Sequence, residues 1–349
     1  MNVKAIPQIT FQECISLFHN LRLYSDQGDK WMYPSIYTCE KSGDLIVVAP
    51  HSIRLEQLEK SFEGLSTIFN RPISGVKDLG AHCWLLLENR LPDLVPYSSR
   101  PENIPSGQYW LGTYSDGSPV ILAFEHSPVF LVAGASGSGK SELFKVLLKE
   151  IENTWGTNSI TIAEGAKDGN DFRRQPCRRL VTELDEVLEV YRELEATYEE
   201  RKKLIRELDV DNWLEARNNG HDWKPHYFLI DECPLFLSKP TKGAPDFEIK
   251  TEIIRIASHL AMRGRYVGLF QVLGTQDPSS TALPSNIINQ VRLKIGYGMR
   301  TAEMARAYFG QIAPHADDLE KGKGIAMLGK EPIIFRGAIL RTPSQQLAF

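Results

Sequence analysis

The run Gly134-Ala-Ser-Gly-Ser-Gly-Lys-Ser141, reached through the apolar stretch Val129-Phe-Leu-Val-Ala133, constrains this chain more than any other feature. A short continuous apolar run of this kind reads as a buried strand. Beyond the glycines, Leu143, Val146, Leu147 and Ile151 recur at helical spacing. Strand, glycine loop and helix in that order form a phosphate cradle, because Gly137 and Gly139 let backbone N–H groups turn inward without steric cost. The spacing G-x-x-x-x-G-K-[ST] assigns the parts. Gly134, Ala135, Ser136, Gly137, Ser138 and Gly139 wrap a triphosphate, Lys140 reaches its β- and γ-phosphates, and Ser141 ligates Mg²⁺. ATP and Mg²⁺ are the expected cofactors.

A second constellation lies downstream. Tyr227-Phe-Leu-Ile-Asp231-Glu232 is an apolar strand ending in two acids. At a strand's C-terminal end they would face the same crevice as the phosphate loop. Asp231 is placed to hold the magnesium shell, and Glu232 to orient and deprotonate the water that attacks the γ-phosphorus. A further strand, read as 267–273, leads to Gly274-Thr275-Gln276, where the Gln276 amide can sense the γ-phosphate or position that water.

Around these motifs the chain divides in two. The N-terminal part reads as a small α+β domain over residues 1–92. It has a helix from Thr10 with Phe11, Cys14, Ile15, Phe18 and Leu21 on one face, a strand over 44–49, an amphipathic helix over 55–69 and a strand over 83–87. Residues 93–107 are crowded with Pro and Ser and read as a linker without regular structure. Residues 108–349 then form the nucleotide domain. It opens with a hairpin around Asp116-Gly117 and carries strands at 159–163, 227–230, 292–297, 324–328 and 333–338, with a long helix over 182–208. Apolar strands alternating with helices indicate a mostly parallel sheet covered on both faces. The charged run Glu199 to Lys203 reads as the solvated face of the long helix, and His226 as a structural residue beside a strand.

The order of motifs resembles the FtsK/HerA-type motor ATPases, in the style of their conjugation and plasmid-transfer members. FLVAGASGSGKSE is followed by HYFLIDECPLF, then by a helix ending near Arg263-Gly264, by Gly274-Thr-Gln-Asp-Pro278 and by Ile288-Asn-Gln-Val-Arg-Leu293. Gly322-Lys-Gly-Ile-Ala-Met-Leu-Gly329 and Phe335-Arg-Gly-Ala338 are similar to the family's closing hairpin, and the likeness spans residues 105–340. Two places depart from it. Asp277 replaces an arginine after the glutamine, and Glu164-Gly-Ala-Lys167 stands where an "IDPK" segment is expected.

The resemblance implies a RecA-like P-loop fold, an α/β sheet flanked by helices, assembling as a homo-oligomeric ring, usually a hexamer, with ATP between neighbouring subunits. It implies an arginine supplied across the interface, Arg292 first, with Arg263 and Arg265 behind it. It implies double-stranded DNA as the partner, gripped through its phosphates by basic loops. Lys167, Arg173, Arg174, Lys239 and Lys242, together with Arg178 and Arg179, are the DNA-binding candidates, with a solvated surface as the alternative. The expected function is an ATP-driven DNA translocase in plasmid or mobile-element transfer. The alternatives are a secretion-system motor that moves polypeptide and a nucleotide-switched DNA-binding adaptor of replication.

Composition bounds the rest. A formal net charge of -4 over 349 residues argues against a globally basic nucleic-acid coat, while leaving room for a locally basic pore. Cys14, Cys39, Cys83, Cys177 and Cys233 are scattered without a C-x-x-C pair, which suggests neither a disulfide framework nor a zinc cage. No apolar stretch reaches the ~18 residues of a membrane span and no signal pattern opens the chain. A cytoplasmic protein is expected, with recruitment to the inner face of the membrane by a membrane-anchored transfer or secretion partner left open.

Overall fold

Val129–Ala133 is buried at all five positions, and the elements around it follow from the need to cover both of its faces. A computed structural model of the chain describes residues 3–5, 18–26, 28, 30–39, 45–62, 64–65, 73–78, 80–88, 91–92, 94–114, 117–124, 127–276, 283–298, 306, 308–309, 319–328 and 333–340. The chain forms two compact units, Met1–Leu91 and Pro92–Phe349.

In the first unit a five-stranded antiparallel sheet runs in the order Val3–Ala5, Ser35–Cys39, Leu45–Val48, Cys83–Glu88 and Ile73–Asp78. Leu45 and Val47 point from the sheet into a small core with Phe18, Leu23, Ile53, Leu58 and Leu65. Of the helix expected over 55–69, Leu55–Glu59 is one helix, and residues 62, 64 and 65 are helical again after a turn. Residues 66–69, and the residues of the Thr10 helix before Phe18, lie outside the described residues.

The second unit carries the large sheet. Its strands are β1 (Gln108–Tyr114), β2 (Pro119–Ala123), β3 (Val129–Ala133), β4 (Ile160–Glu164), β5 (Arg179–Val181), β6 (His226–Asp231), β7 (Leu269–Thr275), β8 (Leu293–Tyr297), β9 (Lys323–Met327) and β10 (Ile333–Ile339). They lie in the order β2-β1-β10-β9-β8-β3-β7-β6-β4-β5. From β8 to β5 every neighbour is parallel. From β8 to β2 every neighbour is antiparallel. The unit's helices include α1 (Lys140–Trp155), α2 (Leu184–Glu207), α3 (Trp213–Asn218), α4 (Pro234–Leu237), α5 (Phe247–Val267) and α6 (Ser285–Ile288).

Alternate residues of β3 enter opposite cores, as the period of a strand dictates. Val129, Leu131 and Ala133 pack with Tyr191 of α2 and with Ile256 and Leu260 of α5. Phe130 and Val132 pack with Leu143, Phe144, Leu147 and Ile151 of α1. The sheet is therefore mostly parallel and flanked by helices on both faces.

Two details differ from the sequence reading. Val267 closes α5 instead of opening β7, because Gly268 takes the left-handed conformation (φ 77) that ends the helix. The Pro/Ser-rich segment holds a two-residue strand, Val95–Pro96, paired in parallel with the end of β10, and a single 3₁₀ turn, Tyr97–Ser99. Glu150 of α1, 1% exposed, organises it. Its carboxylate accepts from the Tyr97 hydroxyl, from Arg100 Nε at 2.6 Å and from the Trp110 N–H at 3.0 Å.

Candidate active site

Because β3, β4, β6 and β7 are parallel and in register, their C-terminal ends meet at one edge of the sheet. Ala133 aligns with Thr275, and Glu164 with Asp231. Each strand delivers one element there: the phosphate loop after β3, Glu164 on β4, Asp231-Glu232 on β6 and Gln276 after β7.

The loop is held open by its neighbours. The Gly134 N–H bonds the Thr275 carbonyl at 3.1 Å, the Ala135 N–H bonds the Gly298 carbonyl at 3.0 Å, and the Gly322 N–H bonds the Ser138 carbonyl at 2.9 Å. Gly137 (φ 77) and Gly139 (φ 125) occupy backbone conformations that side chains disfavour. Arg336, from β10, fixes the turn at Gly322 by donating to the Lys321 carbonyl at 2.7 Å and to the Pro92 carbonyl at 2.9 Å.

Lys140 opens α1 and turns into a cleft of 260 Å³ lined by the loop together with Glu164, Lys167, Asp231, Glu232 and Gln276. Its ammonium lies 2.5 Å from Asp231 Oδ1 and 3.6 Å from Glu232 Oε2. The lysine therefore rests on the two acids that the motif reading assigns to the same reaction.

Glu232 sits at φ 52, left-handed backbone for a non-glycine residue. Such a conformation costs on the order of 1 kcal/mol or more and persists where surroundings impose it. The surroundings here are explicit: the Cys233 N–H bonds the Gly274 carbonyl at 2.7 Å, and the Gln276 N–H donates to Glu232 Oε1 at 3.2 Å. Gly274 is required where it stands, since a Cβ would come within 2.6 Å of Phe144 and 2.8 Å of Asp231 Oδ1. Cys233 is fully buried and its thiol is pushed well up by desolvation, so it is a neutral packing group.

The residues fit a nucleotide-bound cation. Ser141 lines the cleft, and Glu164 Oε2 and Glu232 Oε2 are buried in it without hydrogen-bond partners. Buried polar atoms left open around a carboxylate cluster are what a hydrated magnesium ion and its phosphates would satisfy.

The other predicted residues fall elsewhere. Arg292 is exposed and precedes β8, whose Leu293 aligns with Phe130 while Gly296 aligns with Ala133. It therefore stands at the opposite edge of the sheet, roughly 13 Å of strand from the loop end. Arg263 and Arg265, near the C-terminal end of α5, are exposed beside the start of β7 at that same far edge. Arg173 and Arg174 are exposed in the segment after β4, and Lys239 and Lys242 in the segment after β6, so both clusters leave the sheet at the nucleotide edge. Arg178 and Arg179 are engaged by α2, at 3.1 Å from Glu193 and 2.8 Å from Glu189. Lys167 lines the nucleotide cleft and pairs with Asp171 at 2.5 Å.

Sequence reasoning missed Glu164 as a cleft residue, having met it only as a departure from an expected segment. It also missed Lys321, which reaches the cleft from the turn before β9. The signal for Lys321 was its neighbour Gly322, whose positive φ (80) makes the tight turn.

Among the described residues no helix is long and apolar enough to cross a membrane. No protein-family model matches the chain. It is similar to the FtsK domain-containing protein YdcQ of Bacillus subtilis (strain 168), at 23% identity over 220 residues, which is 60% of this chain and 43% of that protein. The match thus spans less than half of the relative's length. Among solved structures, the pCW3 conjugation coupling protein TcpA, in its monomer form with ATPγS, superposes with a TM-score of 0.67 at 19% identity over 96% of each chain. The cytoplasmic domain of the Type VII secretion ATPase EccC of Thermomonospora curvata superposes with a TM-score of 0.55 at 19% identity, covering 70% of this chain and 30% of that one.

Proposed function

We propose that this chain, which has the FtsK/HerA-type P-loop ATPase fold, hydrolyses ATP to drive double-stranded DNA through a ring of its own copies during plasmid or mobile-element transfer. The observation that carries hydrolysis is the Lys140 ammonium held by Asp231 and Glu232 inside the phosphate-loop cleft. A triphosphate brings more negative charge than the two carboxylates, so it draws Lys140 onto its β- and γ-phosphates and frees both acids. Magnesium, held by Ser141 and Asp231, supplies charge neutralisation at those phosphates when bound. Glu232, aimed by its left-handed backbone, accepts the proton of the attacking water, and the Gln276 segment fixes the second oxygen of that carboxylate.

The position of Arg292 supports a ring. At the far edge of its own sheet it cannot serve its own cleft, whereas a neighbouring copy can present it there. An arginine supplied in that way contributes about 10³- to 10⁵-fold in related phosphoryl transfers. Duplex DNA as cargo is supported by the fold shared with a conjugation coupling protein along nearly the whole chain, and by the exposed Arg173, Arg174, Lys239 and Lys242 on segments leaving the nucleotide edge. Nucleotide hydrolysis at that edge would move these segments and the phosphates they grip.

Transport of polypeptide is the second reading, favoured by the fold shared with a secretion ATPase. ATP turnover with and without linear duplex DNA separates the two. Duplex is expected to stimulate the wild type strongly, and Lys140→Ala and Glu232→Gln to abolish turnover. A rate indifferent to duplex and raised by a secreted polypeptide would move the assignment to the second reading.

A further inference from the structure

Glu164 ends β4 at the nucleotide edge with half of its carboxylate bound and half open. The residue is 1% exposed, and its Oε1 accepts the Lys167 N–H at 2.8 Å. Its Oε2 is buried without a hydrogen-bond partner. Lys140 Nζ is engaged by Asp231, and Lys167 Nζ by Asp171 at 2.5 Å. Burial, more than any neighbouring charge, raises the pKa of this carboxyl.

A buried oxygen with no partner costs on the order of 1–3 kcal/mol, so its place beside a ligand cleft asks for something that fills the vacancy during function. The strand register says what. Glu164 aligns with Asp231 on the adjacent parallel strand, so both side chains leave the same face of the sheet. In the sheet order β3-β7-β6-β4, Glu164 lies one strand beyond Asp231 from the phosphate loop, about 4.8 Å further out. A carboxylate at that remove meets the metal through water rather than directly.

Building on the ATPase reading above, we propose that Glu164 is a positioning residue of the nucleotide site, whose open oxygen accepts a hydrogen bond from a water in the shell of the nucleotide-bound magnesium. It orients that water and balances part of the metal's charge once Lys140 has moved to the phosphates. The Lys167 N–H holds Oε1, and the second oxygen therefore keeps its aim.

The test uses the full chain and a fluorescent N-methylanthraniloyl ATP, titrated in EDTA and then across a MgCl₂ series. Outer-shell partners of this kind contribute about 10- to 100-fold to metal affinity. Glu164→Gln is expected to bind the metal-free nucleotide within about twofold of wild type, and to need roughly tenfold more Mg²⁺ for half of the magnesium-dependent gain. Thermal melting without nucleotide is expected to leave the variant at least as stable as wild type, because the substitution removes a buried charge and keeps the shape. Glu164→Asp, which draws the carboxylate back by one methylene, is expected to show the same magnesium defect. An unchanged Mg²⁺ requirement in Glu164→Gln would overturn the proposal, and so would equal weakening of metal-free binding. Wild type that fails to bind the nucleotide at all would instead count against the ATPase reading.

Discussion

Replacing Lys140 by alanine is expected to weaken the folded protein as well as stop its chemistry. The lysine side chain is 8% exposed, and its acid partners Asp231 and Glu232 are 9% and 17% exposed. Removing the ammonium leaves two adjacent carboxylates in a site with little water. Taking one member out of a buried ion pair costs about 3–5 kcal/mol, because the remaining charge stays desolvated and unpaired. Contacts at 2.5 and 3.6 Å lie well inside the range where attraction at an effective dielectric of about 20 amounts to several kcal/mol. The opening of the cleft to solvent moves the expected loss to the lower end, near 3 kcal/mol. With a urea dependence of about 3 kcal/mol per molar, the unfolding midpoint should fall by roughly 1 M.

The assay is urea unfolding followed by tryptophan fluorescence on wild type, Lys140→Ala, Asp231→Asn and the double variant, without nucleotide. Neutralising Asp231 removes the main stranded charge, so the double variant should recover more than half of what Lys140→Ala loses. That coupling is the signature of a direct interaction. If Lys140→Ala unfolds at the wild-type midpoint, the lysine is not stabilising the acids. The reading in which Lys140 neutralises Asp231 and Glu232 would then be refuted.

Arg292→Ala should lower ATP turnover at least a hundredfold while leaving nucleotide affinity within about twofold, since the arginine lies across the sheet from its own cleft. Mixing it with Lys140→Ala should restore part of the rate, because some interfaces then pair an intact cleft with an intact arginine; no recovery on mixing would count against a shared site. His226 gives a pH prediction: desolvation pushes its pKa down to about 3, from 6.5, and its Nε2 lies 3.1 Å from Thr161 Oγ1. The unfolded chain therefore binds the extra proton between these values, so this histidine's contribution is whole above pH 6.5 and is lost as pH falls toward 3. His226→Gln should flatten urea midpoints measured from pH 7 to 4.5 by the slope of one proton, about 1.4 kcal/mol per pH unit; an unchanged slope would show that another group titrates there.

What could be read from the residues alone was whatever chemistry forces into a contiguous pattern. The phosphate loop is legible because φ 77 and 125 at Gly137 and Gly139 strongly favour glycine. Asp231-Glu232 is legible because two acids closing an apolar strand fall at its C-terminal end, beside the phosphate loop. The parallel sheet is legible because strands buried on both faces must be apolar throughout. Glu150 escaped notice for the opposite reason. It sits on the buried face of α1, among residues whose spacing announces only packing, and its partners Tyr97 and Arg100 come from a segment whose prolines announce only a loop. Nothing local marks an acid as the anchor of a distant turn.

Glu164 escaped in another way. Its identity was visible, but its meaning depends on which strand lies beside β4, and that order departs from the order along the chain. β6, which follows β4 and β5 in sequence, is inserted between β4 and β7 in space, and this alone sets Glu164 next to Asp231. The residues that make a site reactive are thus of two kinds. Those bound by local backbone demands carry their signature in adjacent letters, while those bound by register acquire their role only when the sheet is closed. The open oxygen of Glu164 belongs to the second kind, which is why a departure from an expected motif and a vacancy in the cleft are two views of one residue.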